Sequence, residues 1–212
     1  MEPIIAIKNV SKKIKNNIIL DNINLSVNKG EIWGIKGHNG SGKSMLLKAL
    51  CGLIIIDTGV ISIMGKSIED GSLANIGALI EYPGLLPNLS GLKNLLLLAS
   101  IKKIISKQEI VEVMNKLEMN PNDKLPFKKY SLGMRQKLGI AAAIMEYPSV
   151  LILDEPGNNL DIKNIGLVKE LMNQINIEYN TTIILAGNNI NDFKSICTDI
   201  CEIRSGHLEV IR

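Results

Sequence analysis

Gly37-His38-Asn39-Gly40-Ser41-Gly42-Lys43-Ser44 is the stretch that decides the fold. A short apolar run, 31–36, carries Trp33 and leads straight into it. Residues 44–53 follow, with Met45, Leu46, Ala49 and Leu50 spaced as the apolar stripe of a helix. A strand, then Gly-x-x-x-x-Gly-Lys-Ser, then a helix is the pattern of a phosphate-binding loop. Each residue type has a physical task. Glycines let the backbone approach a phosphate closely and adopt φ values that other residues resist. Successive N–H groups and the positive end of the following helix then surround the anion. Lys43 is expected to reach the β- and γ-phosphates, and Ser44 to offer its hydroxyl to Mg²⁺. All eight residues, 37–44, are candidate nucleotide contacts. A glycine-rich turn with no ligand is the bland alternative, and the flanking strand and helix disfavour it.

Outward from the loop, Val150-Leu151-Ile152-Leu153-Asp154-Glu155 is the second informative run. Four apolar residues make a buried strand. Two carboxylates at its C-terminal end lie where open parallel sheets bind ligands. Asp154 is expected to hold Mg²⁺, directly or through water, and Glu155 to polarise an attacking water as general base. Alone, such a strand exit is common; beside a phosphate loop the functional reading prevails. Tyr130-Ser131-Leu132-Gly133-Met134-Arg135-Gln136 is the third run. Ser131 and Gly133 stand at the start of a helix, a geometry that favours anions.

The rest of the chain fits an α/β protein. Residues 4–10 and 18–27 read as strands, with turns at Asn16-Asn17 and Asn28-Lys29-Gly30. Residues 59–64 and 76–80 read as strands as well. Residues 89–119 are Leu- and Lys-rich at helical spacing, with Ser90 as a cap. Helices are expected over 131–145, 162–179 and 192–196, and strands over 150–153, 181–186 and, as a pair around Ser205-Gly206, 200–211. The order predicts one domain over 1–212, with a parallel-sheet core, antiparallel strands at its N-terminus, and an inserted helical subdomain near 82–136.

Bulk properties narrow the function classes. The chain has 212 residues and 46% hydrophobic composition, enough for one sizeable core. Its 24 Lys and Arg and 21 Asp and Glu give a net charge of +3 and are mixed along the chain. A nucleic-acid partner is not expected, since such binders concentrate basic residues on one face. Three cysteines, Cys51, Cys197 and Cys201, make no disulfide framework and read as buried thiols in a reducing cytosol. The N-terminus, Met1-Glu2-Pro3-Ile4-Ile5, has no signal-peptide pattern. The longest apolar stretch, 95–105, is interrupted by Lys102 and Lys103 and is too short to span a bilayer. A cytoplasmic chain is expected, and any membrane role requires a separate polypeptide.

Taken together, these motifs resemble the ATP-binding cassette (ABC) family, the ATPase subunits of ABC transporters, over essentially the whole chain. The resemblance implies a P-loop NTPase core, ATP and Mg²⁺ as ligands, and a second ATPase copy facing the first head to tail. Each nucleotide would lie between one copy's phosphate loop and the other's signature helix. The usual signature is Leu-Ser-Gly-Gly-Gln; here Tyr130-Ser131-Leu132-Gly133-Met134 keeps the serine and the second glycine. Asn159-Leu160-Asp161 resembles the family's D-loop. A separately encoded transmembrane permease subunit is implied, with this chain peripheral on the inner face of the membrane.

Three departures qualify the resemblance. Glu81, in Ile80-Glu81-Tyr82-Pro83, stands where the family usually has glutamine. With the altered signature, it makes the chain similar to ATPases that confer immunity to lantibiotics or export such peptides. A carboxylate at 81 could meet Mg²⁺ or the attacking water but cannot donate as an amide does. Asn188 stands at the switch histidine, and its amide does not titrate near neutral pH. Ile14 stands where an aromatic residue would stack on adenine. An active peptide-transport ATPase using Glu155, Lys43, Glu81 and Asn188 is the leading expectation. A nucleotide-dependent dimer switch with little hydrolysis is the alternative, supported by Asn188 and Ile14. A soluble cassette acting on ribosomes or DNA is a third class, disfavoured by the absence of a second cassette, a long coiled-coil insert or a basic patch.

Overall fold

The computed structural model describes residues 2–68 and 75–211; Met1 of the N-terminal reading lies outside them. Among the described residues, two sheets share the strands. The antiparallel one has the order β2-β1-β4-β5, from β1 (Ile5–Ile14), β2 (Asn17–Val27), β4 (Thr58–Ile63) and β5 (Lys66–Ser67). The other comprises β3 (Ile32–Lys36), β6 (Ile76–Leu79), β7 (Val150–Asp154), β8 (Thr182–Gly187), β9 (Asp199–Arg204) and β10 (His207–Val210). Its order is β10-β9-β3-β8-β7-β6, parallel from β9 to β6, with β10 antiparallel at the edge. Among the described residues, five α-helices pack around them: α1 (Lys43–Leu50), α2 (Gly91–Lys102), α3 (Lys107–Lys116), α4 (Leu132–Ile144) and α5 (Ile162–Tyr179).

The apolar run at 150–153 is continuous because β7 is covered on both faces. Val150 and Ile152, with Ile184 and Ala186 of β8, face a core built with α1 and the antiparallel sheet. Leu151 and Leu153, with Ile183 and Leu185, face a second core built with α2, α3, α4 and α5. Successive side chains point to opposite faces, so a two-residue period divides each strand between the two cores. Edge strand β6 lies close against α4, because a Cβ on Gly77 would collide with the Ala143 carbonyl.

Several element boundaries differ from the sequence reading. Helix α1 stops at Leu50, short of 53, and Gly52 takes a left-handed φ of 64° just after it. The 89–119 stretch is two helices. Lys103 ends α2 in a left-handed conformation, and Ser106 with Glu109 forms a reciprocal capping box that starts α3. The short helix expected at 192–196 is a 3₁₀ turn at Ile190–Phe193, where Ile190 and Phe193 bury into the core. Helix α4 runs unbroken through position 136, so an edge of the helical part at that residue falls inside a helix. All three cysteines are free and buried. Among the described residues, no helix is long and apolar enough to cross a membrane.

Candidate functional site

Three parallel strands bring the separated motifs together. Strand β8 lies between β3 and β7, with Lys36 opposite Gly187 and Asp154 opposite Ala186. The C-terminal ends of β3, β8 and β7 are therefore level. From them emerge, side by side, the phosphate loop, Asn188, and the pair Asp154-Glu155. A cleft of about 670 Å³ lies over these ends, walled among others by Lys43, Ser44, Glu81, Asp154, Glu155 and Asn188. This is the C-terminal crevice where open α/β sheets bind ligands.

The loop is shaped by close packing beneath it. A side chain on Gly37 would strike Ser41 Oγ and the Ile203 carbonyl, and one on Gly42, at φ 110°, would strike the Ile19 carbonyl. Gly42 caps α1 without any side-chain bond to the first N–H groups of the helix. Those donors are the orphan groups that an anion satisfies. Lys43 is 5% exposed, and its ammonium donates to the carbonyls of Gly37 at 2.6 Å and His38 at 3.0 Å and to Asn188 Oδ1 at 2.8 Å. Burial pulls its pKa down, and Glu155 and Asp154 oppose that.

Ser44 Oγ donates to Asp154 Oδ2 at 2.6 Å. Asp154 Oδ1 and Ser41 Oγ are buried and have no hydrogen-bond partner. Burial raises the Asp154 pKa, against the Ser44 bond and Lys43. An adjoining hydroxyl and carboxylate, with one oxygen unpartnered, form an oxygen donor set suited to a hard divalent cation completed by phosphate oxygens. Magnesium therefore fits the residues present.

Asn188 joins the parts. Its backbone N–H donates to Glu155 Oε1 at 3.0 Å, its amide nitrogen to Asn39 Oδ1 at 2.6 Å, and its amide oxygen accepts from Lys43. Glu155 Oε1 lies 4.0 Å from Lys43 Nζ. Glu81 enters the same cleft and contributes to the raised Asp154 pKa, but its carboxylate is paired with Lys48 of α1 at 2.6 Å. Ser131 caps α4, accepting from Met134 N–H at 3.2 Å. Gly133 is pressed against the Asn159 carbonyl. Neither residue is among those that wall the cleft, although Leu132 and Arg135 of the same helix are. Ile14 ends β1 at 42% exposure, beyond the cleft wall, because the hairpin turns there; on that side the wall is Ile19.

The sequence reading gives Lys48 no role, and Gln136 only a place at the end of the signature-like run. Gln136 is 8% exposed and donates to the Glu155 carbonyl at 3.0 Å. Its helical spacing from Leu132 and Ile140 was the available signal.

The comparisons agree with this geometry. The family model described as ABC transporter matches residues 20–158. The chain is 40% identical over 207 residues to an uncharacterised ABC transporter ATP-binding protein, YybJ, of Bacillus subtilis (strain 168), covering 97% of this chain and 94% of that one. It is 34% identical to the bacitracin transport ATP-binding protein BcrA of Enterococcus faecalis, covering 98% of this chain and 68% of BcrA. It is 33% identical to the lantibiotic transport ATP-binding protein SrtF of Streptococcus pyogenes, covering 96% and 88%. Among solved structures, the dimeric bacterial ABC transporter cassette MJ0796 superposes with a TM-score of 0.87 at 25% identity, covering 98% and 99%. On the cleft and these matches together, the chain belongs to the ABC transporter family, as an ATP-binding ATPase subunit.

Proposed function

We propose that this chain hydrolyses ATP in a head-to-tail pair of copies and powers a separately encoded transmembrane subunit that exports or clears an antimicrobial-type peptide. The observation that carries the hydrolytic reading is the level alignment of three strand ends, which puts Lys43 and Ser44 against Asp154 and Glu155. ATP phosphates are held by the loop N–H groups and Lys43. Ser44 and Asp154 would hold Mg²⁺, which supplies charge neutralisation at the phosphate oxygens. Glu155 takes a proton from the attacking water, and Asn188 positions Glu155 relative to the loop. The second copy presents Ser131 and Gly133 to the nucleotide. The cargo class is supported by the names of the bacitracin and lantibiotic relatives.

A groove of about 220 Å³ supports the docking of a membrane partner on the inner face of the membrane. Gly77, Ala78, Gly139 and Ala142 give it a floor of small residues, and Leu85 and Leu98 line it. Tyr82 and Leu86, close to Leu85 in the chain, stand exposed at 86% and 48%, and Tyr82 also walls the nucleotide cleft. The helices over 82–136 form the arm on one side of this groove. Replacing Leu85 and Leu86 with charged residues is expected to abolish co-purification with the membrane subunit and to leave nucleotide binding intact. Normal complex formation by that variant would remove the docking assignment.

Phosphate release by the purified chain with ATP and Mg²⁺, across protein concentrations, tests the main reading. Turnover should rise more than linearly with concentration and vanish in Glu155→Gln. The bonds that tie Asn188 to Lys43 and Asn39 favour a second reading, a nucleotide-pinned dimer with slow turnover. Equal dimer lifetimes with ATP and with a non-hydrolysable analogue would select it.

A further inference from the structure

We propose that Gln136 is a positioning residue for hydrolysis, tying helix α4 to the backbone of Glu155. The inference rests on the reading of Glu155 as the general base. Glu155 sits at φ 49°, in the left-handed region that a β-carbon makes costly. Such a conformation persists only where neighbours over-determine it. Three bonds do so here. The Glu155 N–H donates to the Ala186 carbonyl of β8 at 2.7 Å. The Glu155 carbonyl accepts from Asn158 N–H at 3.0 Å and from Gln136 Nε2 at 3.0 Å.

Of the three, only the Gln136 bond comes from the helical side of the molecule. Ser131 and Gly133, at the N-terminal end of α4, are the residues proposed to meet the partner copy's nucleotide. Gln136 lies one turn further along the same continuous helix. A displacement of that helix end is therefore delivered to the Glu155 carbonyl through a buried amide, alongside the packing of Gly133 on the Asn159 carbonyl. The bond makes the base on one copy responsive to how the same copy's signature residues are engaged. A merely structural role, satisfying a buried polar group between α4 and β7, would leave the reaction untouched once the fold is intact.

The test compares Gln136→Met, which keeps the length and removes the donor, with Gln136→His, which keeps an N–H donor. In the Met variant, kcat should fall about tenfold, the size of one well-placed hydrogen bond, with KM for ATP unchanged. The His variant should recover part of that loss. Amide hydrogen exchange over 155–160 should quicken in the Met variant and not elsewhere in the core. Unchanged kcat in a folded Met variant overturns the proposal, as does a parallel loss of kcat and thermal midpoint with no recovery by His. If the wild-type chain itself does not turn over, the hydrolytic reading fails separately. Exchange over 155–160 then decides whether Gln136 holds the segment, and unaltered exchange overturns that.

Discussion

Asp154 is a carboxylate that the fold buries and only half satisfies. One oxygen takes the Ser44 hydroxyl and the other has no partner, so burial raises the pKa. Removing the charge without changing the shape, as in Asp154→Asn, is expected to raise the thermal midpoint by roughly 2–4 °C at neutral pH while abolishing turnover. The sign with pH follows from the raised value. The folded chain holds this proton more tightly than the unfolded chain does, so the wild type gains stability as pH falls. The advantage of the variant is full above the folded pKa and closes as pH drops from there to the ordinary carboxylate range. Thermal denaturation scans of both proteins across pH would check it. At Asn188 the amide bridges two residues of the phosphate loop, so Asn188→Ala should lower kcat by about 10²-fold in steady-state assays.

Elements show where sequence is sufficient and where it is not. Helix α5 matches its expected span, 162–179, to the residue; Asp161 caps it, and Val168, Leu171, Met172 and Ile175 form its buried stripe. Strand β7 follows from its unbroken apolar run. The division of 89–119 into α2 and α3 was written in Ser106-x-x-Glu109, a local signal masked by the Leu-rich run before it. The pairings of Glu81 with Lys48, Asn188 with Asn39, and Gln136 with Glu155 were not legible. They join residues far apart in the chain, and only the strand order brings them within reach. Close element packing yields a prediction of its own. Gly77→Ala would force β6 off α4 against backbone that cannot yield, and should cost about 1–3 kcal/mol in denaturant titration. Tyr130→Phe removes the hydroxyl that accepts from the buried Gly91 N–H, and should cost about 1–2 kcal/mol by the same measurement.

For the whole molecule, nucleotide is a stabilising ligand of the folded state alone. ATP with Mg²⁺ at about 100 times Kd should add about 2.7 kcal/mol, or roughly 5–10 °C in thermal midpoint. The Glu155→Gln variant should keep that shift, and Lys43→Ala should lose most of it.

The insertion of β8 between β3 and β7 has a mechanical consequence. The phosphate loop and the base are clamped to a common strand by two parallel ladders. A pull along the sheet must unzip one of those ladders before the two can separate. The floor of the cleft is therefore the stiff member of the machine.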